Sequence, residues 1–274
     1  MNHCTKLLLA LITVTLTACG GGGGGGGSSS GAAAECSALH AKIYGGDLCN
    51  QTAQTPVVAL IPVATDGTHL ALAGICTGAL VTVDDFVTSA HCFVEPARSL
   101  GNQLAGFIVV AGGDDGEVFE VRNLSIHPLY NGKDGSPFDI AMGTLDRIPS
   151  PPIGPLPIIT TPLTLPGDTV TAFGYGTSNT GEVGRLKAAT IKIEAIAAGN
   201  LVGLLQTSNA SICPGDSGGP LVRVVNGVTG LVGINSFVTN TCAGQASPIS
   251  GFVDMQFPTI TEFVLGYAGD VAVR

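Results

Sequence analysis

Residues 56–257 predict an all-β chain folded as two β-barrels, and three observations carry that expectation. Short aliphatic and β-branched runs recur between turn-forming residues, forty glycines stand against only 11 % charged residues, and one proline-dense stretch divides the series. The first series reads as strands over 56–63, 74–82, 86–90, 106–111 and 117–126, with Asp114-Asp115-Gly116 as a turn signal between the last two. Ile148-Pro149-Ser150-Pro151-Pro152-Ile153-Gly154-Pro155 then interrupts. Proline has no N–H to give a ladder, so this stretch is the connection between barrels and not a central strand. The second series covers 169–173, 186–196, 203–207, 221–225 and 230–237, and a short helix is expected from about Phe257 to Tyr267.

A chain of 274 residues with 45 % hydrophobic content has the length to bury a substantial core. Its formal charge of −9 disfavours nucleic acid or an anionic membrane surface as partner. Residues 1–18 contain Lys6 and an apolar run from Leu7 to Leu16, too short to span a bilayer, and read as a secretory signal. Leu16-Thr17-Ala18-Cys19 resembles a bacterial lipobox, with cleavage before Cys19 and acylation of its thiol. The alternative is ordinary signal cleavage with a chance cysteine. The Gly20–Gly27 and Ser28–Ser30 tether that follows directly favours the lipid, and Gly20 in place of aspartate is consistent with the outer membrane or cell surface. Residues 19–42 are therefore expected to be a linker, and residues 43–274 the folded domain. Eight cysteines suit an exported, oxidising setting. No CxxC or Cys/His metal spacing occurs, so neither metal nor cofactor is expected.

The stretch Cys213-Pro214-Gly215-Asp216-Ser217-Gly218-Gly219-Pro220 carries the chemical signal. A serine hydroxyl is a poor nucleophile at neutral pH and needs a base, together with N–H donors for the oxyanion it creates. Glycines around Asp216-Ser217 permit positive φ and let the Gly215 and Ser217 amides approach a substrate carbonyl. Taken alone, the motif also reads as a polar turn before a strand at Leu221. Among five histidines, His3 falls in the leader, His40 and His69 lie among small polar residues, and His127 precedes a proline in a turn. His91 ends the apolar run Phe86-Val87-Thr88-Ser89-Ala90 and precedes Cys92, where a disulfide would pin the imidazole. Asp139 is a carboxylate among apolar neighbours, costly unless hydrogen-bonded. The resulting order is His, Asp, Ser.

With Ile43-Tyr44-Gly45-Gly46, Thr88-Ser89-Ala90-His91-Cys92, Asp139-Ile140-Ala141, Gly174-Tyr175-Gly176 and Leu231-Val232-Gly233-Ile234 in order, the chain resembles the trypsin/chymotrypsin serine proteases over residues 43 to about 257. The resemblance implies two antiparallel six-stranded β-barrels, over about 43–147 and 157–257, with the active site in the cleft between them. It implies His91 as general base and then acid, Asp139 as the residue fixing its tautomer, Ser217 as nucleophile, Gly215 and Ser217 amides as the oxyanion hole, and Ser236 as support for Asp139. It pairs Cys76 with Cys92 and Cys213 with Cys242. Cys36 and Cys49, left over, are then expected to pair and to keep the leader attached after cleavage. It further implies a zymogen cut at Lys42-Ile43 by a Lys-specific protease, the freed Ile43 ammonium pairing with Asp216. On that reading a Lys42→Gln chain is nearly inactive. The protein is expected to be a monomer acting on protein or peptide substrates. A rival reading is a non-catalytic binding protein of the same fold at the cell surface.

The resemblance also describes a substrate pocket. Its floor falls at Ser211, where trypsin-like enzymes carry an aspartate for Lys or Arg, and a cation buried there without a partner is disfavoured. Its wall falls at Ser236-Phe237-Val238, with valine where pancreatic elastase has it, and Ile249 stands across as a second obstruction in a region one residue longer than the family pattern. The implied enzyme is elastase-like, cutting after small aliphatic residues.

Overall fold

The computed structural model describes residues 55–94, 103–111, 116–133, 135–178, 181–197, 199–205, 212–239 and 249–274. Strands β1 (Val57–Thr65), β3 (Cys76–Leu80), β4 (Asp85–Thr88), β5 (Gln103–Ala111), β6 (Glu117–Ile126) and β7 (Ala141–Leu145) form a closed antiparallel ring, because β1 pairs with β3 on one side and β5 on the other. Strand β2 (Leu70–Leu72) is an exposed extension paired with the end of β1. The second ring consists of β8 (Thr169–Gly174), β9 (Lys187–Ala197), β10 (Asn200–Leu205), β11 (Pro220–Val225), β12 (Val228–Val238) and β13 (Ile249–Asp254), in the order β10-β13-β12-β11-β8-β9. Residues 146–168, which include the proline-dense stretch, carry the chain from β7 to β8. Strands β2, β7 and β13 were not among those expected from sequence; each is six residues or shorter.

Continuous apolar runs arise because these strands are buried on both faces. In an extended strand neighbouring side chains point to opposite sides. Val58, Leu60, Phe86, Phe107, Val109 and Phe119 fill the first barrel. Val170, Ala172, Ile191, Leu201, Val232 and Phe252 fill the second. The alternate residues Val57, Val87, Ile140, Met142, Phe173, Ile234 and Val253 pack between the barrels. Helix α1 (Pro258–Tyr267) caps this shared layer with Ile260 and Val264, its proline sitting where the missing N–H has no helical partner. Among the described residues no helix is long and apolar enough to cross a membrane.

His127 is a packing residue. It is 3 % exposed, stacked on Phe138 at 4.9 Å and close to Phe263 of α1 at 4.8 Å, and burial pushes its imidazole below the ordinary histidine range.

Close packing gives the first barrel a sensitive point. Phe86 of β4 is paired with Gly143 of β7, and a Cβ at Gly143 would run into the Phe86 ring. Gly143→Ala is expected to destabilise by about 1–3 kcal/mol through overpacking, read as a lower urea midpoint at unchanged slope. Adding Phe86→Leu should recover part of that loss.

Candidate active site

The short turn of helix that begins at His91 follows β4, so the imidazole leaves the rim of the first barrel toward the second. The Cys76–Cys92 disulfide anchors it to the start of β3. Asp139 lies just before β7 and is 3 % exposed. Its Oδ1 accepts the His91 backbone N–H at 2.9 Å, and its Oδ2 lies 2.7 Å from His91 Nδ1 and accepts the Ser236 hydroxyl at 2.7 Å. A carboxylate with three such donors is compensated for its burial, and it holds the proton of the imidazole on Nδ1 and leaves Nε2 as the basic nitrogen.

Ser236 reaches Asp139 because the ladder slips there. Asn235 pairs with Phe252 and Phe237 with Gly251, which leaves Ser236 as the extra residue of a bulge. The bulge puts Ser236, Phe237 and Val238 together along a cleft of 390 Å³ that also includes His91, Tyr130 and Lys133. The Phe237 ring lies where a Cβ of Gly251 would be, so that glycine is needed for close approach. Ile249 opens β13, is 41 % exposed and does not line this cleft. Ser211, Cys242, Lys42, Ile43, Cys19, Cys36 and Cys49 lie outside the described residues.

Ser217 sits in the turn before β11, half-buried. Its carbonyl accepts the Thr77 N–H at 2.8 Å and lies 3.8 Å from the Cys92 sulfur, which has no proton to give in the disulfide. The nucleophile candidate is thus held against the cystine that carries His91. Thr77 Oγ1 donates to Gly215 O at 2.7 Å, Thr177 N to Pro214 O at 3.1 Å, and Gly218 N to Asn235 O at 2.8 Å. Asp216 N and Gly219 N are also bonded within the turn. Among the described residues no acceptor meets the N–H of Gly215 or of Ser217. Gly215 has φ +99°, and a Cβ there would strike Gly176 and Ile75. These two donors flank the serine and are available to an oxygen that develops negative charge.

Asp216 points the other way, into the protein, and is 1 % exposed. Gly176 N donates to its Oδ1 at 2.8 Å and Cys213 N to its Oδ2 at 2.9 Å. Burial nevertheless pushes the carboxyl up to about 7, against those two donors and the nearby Lys187 ammonium. Cβ atoms at Gly174 or Gly176 would collide with Asp216, which explains the Gly174-Tyr175-Gly176 motif as a cradle for a carboxylate.

Sequence reasoning passed over Thr77, Asn235 and Lys187. Asn235 Nδ2 clamps Phe173 O and Asp216 O, each at 2.9 Å, while Asn235 O accepts the Ser89 hydroxyl at 2.7 Å. For Asn235, a polar residue directly after the apolar run Leu231–Ile234 in the middle of a strand was the available signal. Cys76, His91 and Cys92 form a grouping with metal-ligand distances, but the disulfide consumes both sulfurs and leaves a cation one imidazole.

A family model described as Trypsin matches residues 43–256. Among solved structures, the fold is similar to mouse neuropsin, described as a serine protease expressed in the limbic system of mouse brain. The TM-score is 0.61 at 23 % identity, over 81 % of this chain and 100 % of that one.

The Asp216 geometry sets a pH dependence. A carboxyl raised on folding contributes stability that is fully present below its unfolded value near 3.8 and is lost as pH rises through about 7. Urea unfolding of the uncleaved Ser217→Ala chain is expected to weaken from pH 4 to pH 8. Asp216→Asn in the same background should remove that component of the slope, and an unchanged slope would show that Asp216 does not titrate there.

Proposed function

The chain belongs to the trypsin family, and from that membership together with the site geometry we propose that it is a serine endopeptidase working through an acyl-enzyme. The observation that carries the reading is the Asp139 carboxylate, held by His91 on one side and Ser236 on the other, with the Ser217 carbonyl bonded to Thr77 N–H and in contact with the cystine beside His91.

In the proposed reaction Ser217 Oγ attacks the scissile carbonyl carbon and its proton passes to His91 Nε2. The imidazolium that forms is stabilised by Asp139 through Nδ1–H. The carbonyl oxygen, now anionic, accepts the N–H groups of Gly215 and Ser217. Collapse of the tetrahedral species breaks the C–N bond, and the leaving amine takes the proton from His91. Water then attacks the ester with His91 again as base, and Ser217 leaves reprotonated.

An organofluorophosphonate is expected to label Ser217, with labelling lost in Ser217→Ala. Asp139→Asn should lower kcat by about 10⁴ with little change in KM, since it supplies the wrong tautomer while keeping the shape. An unlabelled, folded protein would favour the non-catalytic binding reading.

The proposed specificity is for small aliphatic residues before the cut bond, Ala or Val first. Val238 in the cleft wall supports it, since a branched side chain leaves little room for a large ring. Each misplaced methylene should cost about 1–3 kcal/mol of transition-state binding. Matched Ala, Val, Phe and Arg peptide substrates test this, and Val238→Gly should widen acceptance toward Phe; dominant cleavage after Arg or Phe would overturn it.

The peptidase is further proposed to be exported as a lipoprotein acylated on Cys19 and cut after Lys42, the new Ile43 ammonium pairing with Asp216. The burial of Asp216 supports the second step, because a cation reaching a buried carboxyl favours its charged form. N-terminal sequencing of the mature protein is expected to read Ile43-Tyr44-Gly45-Gly46. Metabolic fatty-acid labelling should disappear in Cys19→Ser.

A further inference from the structure

One charge in the cleft has no part in the chemistry above. Among the described residues the cleft is lined by two charged side chains, Asp139 and Lys133, beside the imidazole of His91. Asp139 is buried, and its two oxygens are taken by His91 and Ser236. Lys133 is exposed, and its ammonium meets no carboxylate or carbonyl among the described residues. In a chain with a formal charge of −9, the charge that a substrate meets in this cleft is therefore positive.

A lysine on an exposed loop is ordinarily just solvated, but this one stands on a braced segment. Its backbone N–H donates to Asn131 Oδ1 at 3.1 Å, and its carbonyl accepts the Ser136 N–H at 3.2 Å. Two residues on, Gly135 O accepts Asn200 Nδ2 at 2.9 Å from β10 of the second barrel, and Pro137 packs against the place where a Cβ of Gly199 would be. The first-barrel bank of the cleft is thus tied to the second barrel. The backbone of Lys133 is placed before substrate arrives, so only its side chain has to be ordered on binding.

The substrate position that it serves follows from strand geometry. A peptide lying extended in the cleft turns successive side chains to opposite sides. With the side chain before the cut bond against Val238 on the second-barrel bank, the side chain one residue further upstream faces the bank that carries His91, Tyr130 and Lys133. A carboxylate there would meet the ammonium, whereas a cation there would be repelled by it.

We propose that Lys133 is a specificity-determining residue that directs the peptidase to acidic substrates, those with Glu or Asp immediately upstream of the residue after which the chain is cut. The proposal rests on the serine-endopeptidase reading and adds a second side chain to the substrate described there.

The test uses the mature chain and peptides built on whichever of the Ala, Val, Phe and Arg substrates is cut fastest, with Glu, Gln or Lys one residue upstream of that position. Peptidyl phosphonates of the same sequences accompany them, so that the preference is read both as kcat/KM and as the rate of Ser217 modification. Glu is expected to exceed Gln by about fivefold in low salt and by about twofold in about 0.5 M sodium chloride, with Lys the slowest. Lys133→Met should remove the ratio of Glu to Gln, Lys133→Arg should keep it, and Lys133→Glu should turn the preference toward Lys. Lys192→Met, which takes a cation from β9 where it pairs with Glu194 outside the cleft, should leave the ratio as it is. Equal rates for Glu and Gln, or a Glu preference that survives Lys133→Met, would overturn the proposal, and so would a preference for Glu at some other position alone. Failure of every phosphonate to modify Ser217 would instead sink the peptidase reading, and the proposal with it.

Discussion

The burial of one carboxylate, Asp216, organises the second half of the site. A charge in that position needs partners supplied by the fold, and the surroundings are built to supply them. Two glycines give up their side chains so that the backbone can reach it, Gly176 and Cys213 donate to its two oxygens, and Asn235 fastens its carbonyl. Because Asp216 and Ser217 are adjacent, whatever holds the carboxylate inward also aims outward the serine and the two amides that meet no acceptor among the described residues. Ser217 is positioned by a neighbour that itself faces into the protein.

Asp139 meets the same problem by other means. It too is almost wholly buried, but its donors are the imidazole, the backbone N–H of the same histidine and one hydroxyl brought in by a bulge. One carboxylate orients His91 from the first barrel; the other orients Ser217 from the second. What joins them is a small set of bonds crossing between barrels: Thr77 to Gly215 and Ser217, and Ser89 to Asn235. The apolar layer shared by the two barrels gives these bonds a rigid footing, since a packed interior resists the small displacements that would separate His91 from Ser217.

Strand 117–126 was legible to the residue, and β1, β8, β9, β11 and β12 to within one or two, because β-branched residues between glycine and proline punctuation mark a strand locally. Strands β7 and β13 were not read. Each carries a glycine, Gly143 in Ala141–Leu145 and Gly251 in Ile249–Asp254, that has to fit against Phe86 or Phe237, and that requirement comes from a partner strand. The motif residues stood out because their chemistry is unusual for their setting: a histidine ending an apolar run, an aspartate among aliphatics, a serine among glycines. Thr77 and Lys187 did not, since a threonine in a strand and a lysine beside alanines are ordinary until burial is known.

By itself the sequence determined the all-β class and that His91 and Asp139 belong together, from local pattern and residue chemistry, while the family resemblance supplied the Cys76–Cys92 cystine. Only the tertiary structure decided that Ser236 reaches Asp139 through a bulge, that Gly174 and Gly176 leave room for Asp216, and that Lys187 is buried with its ammonium on Gly176 O. The reason is physical. Whether a polar group is stabilised depends on its solvation and on the donors within about 3 Å of it, and those are set by segments distant in the chain.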